Sequence, residues 1–134
     1  MSRTGDYIPA KVRRQVAMRA NFMCEYCLMP DDPSSGYYKH QIDHIISLKH
    51  RGTNGTGNLA YCCFHCNSCK GPDVGSIYDK TGLFVGFFNP RTQNWSDHFD
   101  LLNFVIEPIT ATGWVTAMML QFNTPMRIEL RRLL

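Results

Sequence analysis

Apolar residues near the start recur four apart. Val12, Val16 and Ala20 fall on one stripe with Ala17 beside them, while Lys11, Arg13, Arg14 and Arg19 point elsewhere. With Pro9 suited to a first helical turn, the pattern predicts an amphipathic helix ending near Asn21. The stretch from Pro30 to Gly36, with Pro33 and short polar residues, predicts a loop. Tyr37 to Ile46 mixes aromatic and β-branched residues, and Gln41-Ile42-Asp43-His44-Ile45 alternates as a strand does. Gly52, Gly55 and Gly57 then interrupt any regular pattern before a short returning strand, Asn58 to Cys62, so the pair predicts a hairpin with a long connection. Cys66 to Lys70 opens a short helix that Gly71-Pro72 stops. Further on, Gly86-Phe87-Phe88 and Phe104-Val105-Ile106 predict strands. Trp114–Phe122 and Met126–Leu134 predict helices, the second capped by Thr124 with Pro125 in its first turn. No internal repeat or low-complexity segment is present. The fold class is α+β.

The length of 134 residues suits one domain: a core over 1–72 and a small mixed extension over 73–134 packed on it. At 44% hydrophobic and 19% charged residues the composition is globular and excludes a disordered chain. Met1-Ser2-Arg3-Thr4-Gly5-Asp6 is polar, and no apolar run approaches a membrane span, which reads as a soluble, cytoplasmic protein without a membrane partner. In a reducing compartment, six cysteines clustered in C-x-x-C pairs point to a metal rather than to disulfides. The net charge of +3 is modest, but it is unevenly spread. Residues 1–71 carry nine Lys/Arg against five Asp/Glu and residues 72–134 five against six, so the basic excess lies in the half with the cysteines.

Tetrahedral zinc takes four soft ligands, and a C-x-x-C knuckle offers two thiolates from one tight turn. Cys24 and Cys27 form one knuckle. Spacing leaves the second open, since Cys63/Cys66 and Cys66/Cys69 both qualify and Cys62 and His65 lie close by. Buried free cysteine is common as a small hydrophobe, but two separated knuckles favour structural Zn²⁺. A shell of four cysteines has no open position and does no chemistry.

Between the knuckles stand Asp43-His44 and Asn58, with Asn67 directly after Cys66. The order C-x-x-C, D-H, N-L, C-x-x-C-N-x-x-K, here Asp43, His44, Asn58, Leu59, Cys63, Cys66, Asn67 and Lys70, resembles the HNH endonuclease family over roughly residues 10 to 72. The register of that resemblance selects Cys63 and Cys66 as the second knuckle and leaves Cys62 and Cys69 spare. It implies a ββα-metal core in which the histidine and the metal-binding acid surround one phosphate. His44 would be the general base, Asp43 and Asn67 the ligands of a catalytic Mg²⁺ or Mn²⁺, and Asn58 the residue that fixes the loop and the imidazole. The family's name expects histidine where Asn67 stands, and an amide oxygen is a weaker but workable ligand for a hard cation.

The residue types suit the chemistry. Phosphodiester hydrolysis needs an activated water, a cation to neutralise the phosphate and the leaving oxygen, and fixed placement of the two. Histidine can take the proton, and a carboxylate is a hard oxygen ligand. Adjacent residues on an ideal strand face opposite ways, so Asp43 and His44 can share a site only where the strand ends or twists. Lys11, Arg13, Arg14, Lys49, Arg51, Lys70 and Arg91 are the candidate contacts to DNA phosphates, and His40, His50 and His65 read as surface or structural. Asn89-Pro90-Arg91, Trp95, His98-Phe99 and Thr110-Ala111-Thr112-Gly113 resemble an extension that follows the core in some bacterial HNH proteins. Trp95 and Phe99, four apart, read as core packing. The competing expectation is a zinc-stabilised nucleic-acid-binding module without catalysis, which would not require the complete set Asp43, His44, Asn58 and Asn67. A third, a zinc-bearing protein-interaction domain, would leave the basic half unused. A single site of this kind breaks one strand, so cutting both would require a homodimer, a second encounter or a partner.

Overall fold

The computed structural model describes residues 7–31 and 39–134. The polar start and most of the loop expected over 30–36 lie outside the described residues, as does Tyr37. Helix α1 (Ala10–Arg19) begins directly after Pro9, which serves as its cap in extended conformation rather than as a first-turn residue. Val16 and Ala17 face inward and pack with Ile8, Leu59 and Tyr61, as the four-residue spacing predicts. At its end, Arg19 donates to the carbonyl oxygens of Thr56 at 3.1 Å and Leu59 at 2.7 Å, tying the helix to the strand beneath it.

Strands β1 (Gln41–His44) and β2 (Leu59–Cys62) pair antiparallel with Asp43 opposite Ala60 and His44 opposite Leu59. Every residue of β2 is buried, so hydrophobic burial pins this register. The long connection makes two short 3-10 turns, Leu48–His50 and Thr56–Asn58. It folds back so tightly that a Cβ at Gly52 would stand 1.6 Å from the Ile46 carbonyl oxygen, and only glycine fits. Helix α2 (Phe64–Lys70) follows β2 at once. It starts two residues earlier than the sequence suggests, because Cys63 caps it: the Cys63 Sγ accepts from the Cys66 amide at 3.4 Å. Gly71, at positive φ, ends it.

The remainder is two hairpins and two helices. Strands β3 (Gly75–Tyr78) and β4 (Leu83–Gly86) form one hairpin, β5 (Phe99–Leu102) and β6 (Val105–Pro108) the other. The strand expected at 86–88 is thus shifted: β4 ends at Gly86, and Phe87 and Phe88 leave it to enter the core. The strand expected at 104–106 begins one residue later, since Asn103 and Phe104 make the turn at positive φ. Helix α3 (Ala111–Met119) starts three residues before the predicted Trp114, where Thr110 Oγ1 accepts from the Gly113 amide at 3.0 Å. Helix α4 (Pro125–Leu133) has the predicted cap, with Thr124 Oγ1 accepting from the Arg127 amide at 3.3 Å. α3 packs on β3, β4 and β6. One buried cluster joins both parts of the chain, bringing Cys24, Cys27, Cys63 and Cys66 together with Phe99, Ile106, Val115, Leu120 and Phe122. Trp95 stacks at 5.0 Å on Phe99, the core packing that their spacing suggests. No helix among the described residues is long and apolar enough to cross a membrane.

Candidate active site and metal centre

The ligand sulfurs of Cys24, Cys27, Cys63 and Cys66 all lie within 4.8 Å of one another, and all four residues are buried. This settles the ambiguity of spacing: Cys63/Cys66 is the second knuckle. Cys62 is buried beside the cluster but outside it, and Cys69 is half-buried on α2. Each knuckle turns an amide toward a sulfur, Cys27 N to Cys24 Sγ at 3.5 Å and Cys66 N to Cys63 Sγ at 3.4 Å. Burial pushes the Cys24 and Cys66 thiols up, while hydrogen bonds from Cys24 and its neighbours hold Cys27 well below the usual thiol range. Four thiols so crowded cannot all release their protons without a cation among them.

A cation is indicated by α4 as well. Arg127 is 3% exposed, and its Nη2 donates to Cys66 Sγ at 3.1 Å and to Cys63 Sγ at 3.6 Å. Its Nη1 donates to the carbonyl oxygens of Leu120 and Gln121. No carboxylate among the described residues pairs with it, so thiolates are the only negative charges it meets. A buried guanidinium needs that countercharge. A divalent ion held by four thiolates leaves two negative charges in excess, and the donor set suits structural Zn²⁺. Nothing in the spacing of Arg127 marked this contact, because the residue lies 64 and 61 positions from Cys63 and Cys66.

β1 ends at His44, and the chain turns there, directly after the adjacent pair Asp43 and His44. Asp43, His44 and Asn67 line a single open pocket of about 360 Å³, with Lys49 at its edge. His44 Nε2 lies 2.7 Å from Asn54 Oδ1; with that amide oxygen as acceptor, Nε2 carries the proton and Nδ1 is the basic nitrogen. Asn67, at the pocket side of α2, donates through Nδ2 to Gln41 Oε1, and its Oδ1 has no hydrogen-bond donor among the described residues.

Asp43 is 5% exposed. Its Oδ2 accepts from the Tyr26 hydroxyl at 2.8 Å and its Oδ1 from Lys70 Nζ at 3.2 Å. Burial pushes its carboxyl up, against the opposing pull of the Lys70 charge and the Tyr26 hydrogen bond. Burial also pushes the Tyr26 phenol well up, with the Asp43 charge next in weight. One carboxylate, one free amide oxygen and an open pocket fit a hard dication such as Mg²⁺, which keeps several waters of its own.

Asn58 bonds three backbone groups of the loop. Its Oδ1 accepts from Ile46 N at 2.8 Å, and its Nδ2 donates to the carbonyl oxygens of Ile46 at 2.9 Å and Thr53 at 2.8 Å. It does not itself touch the imidazole. That partner is Asn54, next to the Thr53 that Asn58 holds, and a lone asparagine in a glycine-rich loop gave no signal. Two of the residues expected to contact phosphate are engaged within the fold. Lys70 is 1% exposed and bonded to Asp43 and to the His44 carbonyl oxygen. Arg91 is half-buried in an ion pair with Glu25. Lys11, Arg13, Arg14, Lys49 and Arg51 stay exposed. Of the histidines without a role, His40 packs against Tyr61 and bonds the Met29 carbonyl oxygen, His50 is exposed and His98 bonds Thr110.

Residues 24–73 match the family model described as HNH endonuclease, which bears out the resemblance over the span holding both knuckles, Asp43, His44, Asn58 and Asn67. No curated protein and no solved structure matches the chain. The domain match carries with it a nuclease or nucleic-acid-binding role that involves metal.

Proposed function

We propose that this chain, with its HNH endonuclease segment at 24–73, is a metal-dependent endonuclease that hydrolyses DNA phosphodiester bonds. The observation that carries the reading is the convergence of His44, Asp43 and Asn67 on one pocket, with Nδ1 of His44 left as the basic nitrogen. Asp43 and Asn67 would hold Mg²⁺ or Mn²⁺ through oxygen, and that ion, when bound, would polarise the phosphate and neutralise the leaving oxygen. His44 Nδ1 takes a proton from the attacking water as its oxygen bonds to phosphorus. The P–O ester bond opposite breaks, and the departing oxygen takes up a proton from solvent. Asn54 holds the ring at Nε2, and Asn58 holds the loop that carries Asn54. Zn²⁺ at the four cysteines would cross-link α2 to the first knuckle without taking part in the reaction.

The test is supercoiled plasmid incubated with purified protein in Mg²⁺, Mn²⁺ or EDTA, beside His44→Ala. We expect relaxation of the plasmid in either metal, none in EDTA, and a loss of about a hundredfold to ten-thousandfold in His44→Ala. Wild-type rates in that variant would remove the base assignment. One observation favours a second reading: Lys70 already neutralises Asp43, so the acid is satisfied without a metal. On that reading the chain is a zinc-stabilised nucleic-acid-binding module, which binds plasmid and leaves it supercoiled in every metal.

A further inference from the structure

Tyr26 stands between two sulfur ligands in the first knuckle, and its side chain is completely buried. The backbone of the knuckle around it is held on several sides. The Cys24 amide donates to the Met29 carbonyl oxygen at 2.8 Å, the Leu28 amide to that of Cys24 at 2.9 Å, and the Trp95 indole to that of Tyr26 at 2.8 Å. The turn that presents two sulfurs therefore also fixes where this phenol ring can go. Packing accounts for the ring, which phenylalanine would supply as well. It does not account for the hydroxyl, a buried polar group whose hydrogen-bond partner is Asp43 Oδ2, at 2.8 Å.

We propose that Tyr26 is the positioning residue of Asp43, so that the zinc knuckle sets the orientation of the carboxylate on the far side of the hairpin. The inference rests on the reading of Asp43 as a ligand of the catalytic dication. Lys70 supplies charge to Oδ1 from the end of α2; Tyr26 supplies a neutral, directional donor to Oδ2. Two donors from two elements fix the rotation of the carboxylate about its own axis, and with it the direction of the lone pairs left for a metal. Without the hydroxyl, Oδ2 loses its donor and the carboxylate turns about the Lys70 contact. Partners of this kind, bonded to a metal ligand rather than to the metal, orient ligands in metal sites generally. The arrangement also links the two metal sites: a knuckle that loosens displaces Tyr26, and Asp43 with it.

The experiment compares zinc-loaded wild type, Tyr26→Phe and Asp43→Asn by zinc content, by Mn²⁺ binding in electron paramagnetic resonance, and by plasmid cleavage against Mg²⁺ concentration. We expect Tyr26→Phe to keep its zinc and to need about 10–100-fold more Mn²⁺ for half-saturation. Cleavage at saturating Mg²⁺ should stay close to wild type, a split that a merely loosened fold would not give. Unchanged Mn²⁺ affinity in Tyr26→Phe, with affinity weakened in Asp43→Asn, would overturn the proposal and leave the nuclease reading standing. Unchanged affinity in Asp43→Asn would remove Asp43 as a ligand, and the positioning role with it. Should Tyr26→Phe shed its zinc, the Tyr26→Phe/Asp43→Asn double variant decides. A hydroxyl acting through Asp43 adds nothing to the loss in the Asp43→Asn background, and an additive loss overturns the proposal.

Discussion

Three residues that organise the two sites, Tyr26, Asn54 and Arg127, act through contacts between segments far apart or inside an irregular loop, where periodicity carries no information. Arg127 is the sharpest case. Methionine in its place keeps much of the bulk but leaves Cys66 and Cys63 without their donor, and frees the Leu120 and Gln121 carbonyl oxygens. We expect Arg127→Met to lose stability by about 3 kcal/mol, the scale for breaking a buried charged contact, and to release zinc to a chelator about tenfold faster or more. Urea unfolding and zinc-release kinetics read the two effects separately, and unchanged release would mean that the guanidinium serves only the helix. By contrast, Asp43, His44, Asn58, Asn67 and the four cysteines were picked out through the HNH resemblance, and the structure brings the four sulfurs together and sets Asp43, His44 and Asn67 on one pocket. On the proposed mechanism, Asn58 and Asn54 divide a task that the resemblance gives to Asn58 alone. Asn54→Ala should therefore lower the cleavage rate by up to about a hundredfold with unchanged unfolding, as misplacement of one group does. Asn58→Ala, which leaves Ile46 and Thr53 without partners, should lower both. Rate and urea midpoint measured on the two variants check that separation.

Among the elements, α1, the β1–β2 hairpin, α2 and α4 are readable from spacing, alternation and capping residues. Their buried faces are set by α1 against β2 and by the knuckles. The two outer hairpins are less so. β3 and β5 are four-residue strands that leave Ile77, Leu101 and Leu102 exposed, so no clean inside-outside alternation survives in them. The position of β4 was missed because Phe87 and Phe88 bury as loop residues, and hydrophobicity alone does not separate that from a strand. Glycines in the β1–β2 connection were visible only as interruptions, yet Gly52 has a specific cause. Any side chain there would overlap the Ile46 carbonyl oxygen and press on Asn58 Nδ2. Gly52→Ala should cost roughly 1–3 kcal/mol, and because the loop must open it should also disturb the Asn58 contacts and slow cleavage. Gly57→Ala, whose Cβ would meet nothing within 4 Å, is the control and should leave the urea midpoint near wild type. If the two variants unfold alike, the close approach at Gly52 is not a constraint on the fold.

For the molecule as a whole, the proposed function divides the work between metal and charge: zinc at the four cysteines would hold the elements together, and the exposed basic residues would face the polyanion. The sequence named candidate cations but not which of them are engaged within the fold, since only burial and pairing distinguish Lys70, bonded to Asp43, and Arg91, paired with Glu25, from the rest. The exposed ones among these candidates are Lys11, Arg13 and Arg14 on α1, Arg13 with its Nε on the Ile8 carbonyl oxygen, and Lys49 and Arg51 on the loop beside the pocket. Each cation that replaces a counterion at a duplex phosphate steepens the dependence of log K on log salt by about 0.9. If α1 lies along the backbone, the Lys11→Ala/Arg13→Ala/Arg14→Ala variant should bind nonspecific duplex more weakly and lose about 2 to 3 from that slope, with its zinc and its fold retained. Lys70→Met tests the other half of the division. It should leave the slope as it is while unsettling the site, because its partner Asp43 would stay buried without its countercharge. Binding isotherms over a range of salt concentrations, taken in EDTA under conditions that keep the zinc so that no strand is cut, give both slopes. A triple variant with the wild-type slope would move the DNA contact off α1. A shallower slope in Lys70→Met would mean that this lysine leaves Asp43 for the phosphate when DNA arrives.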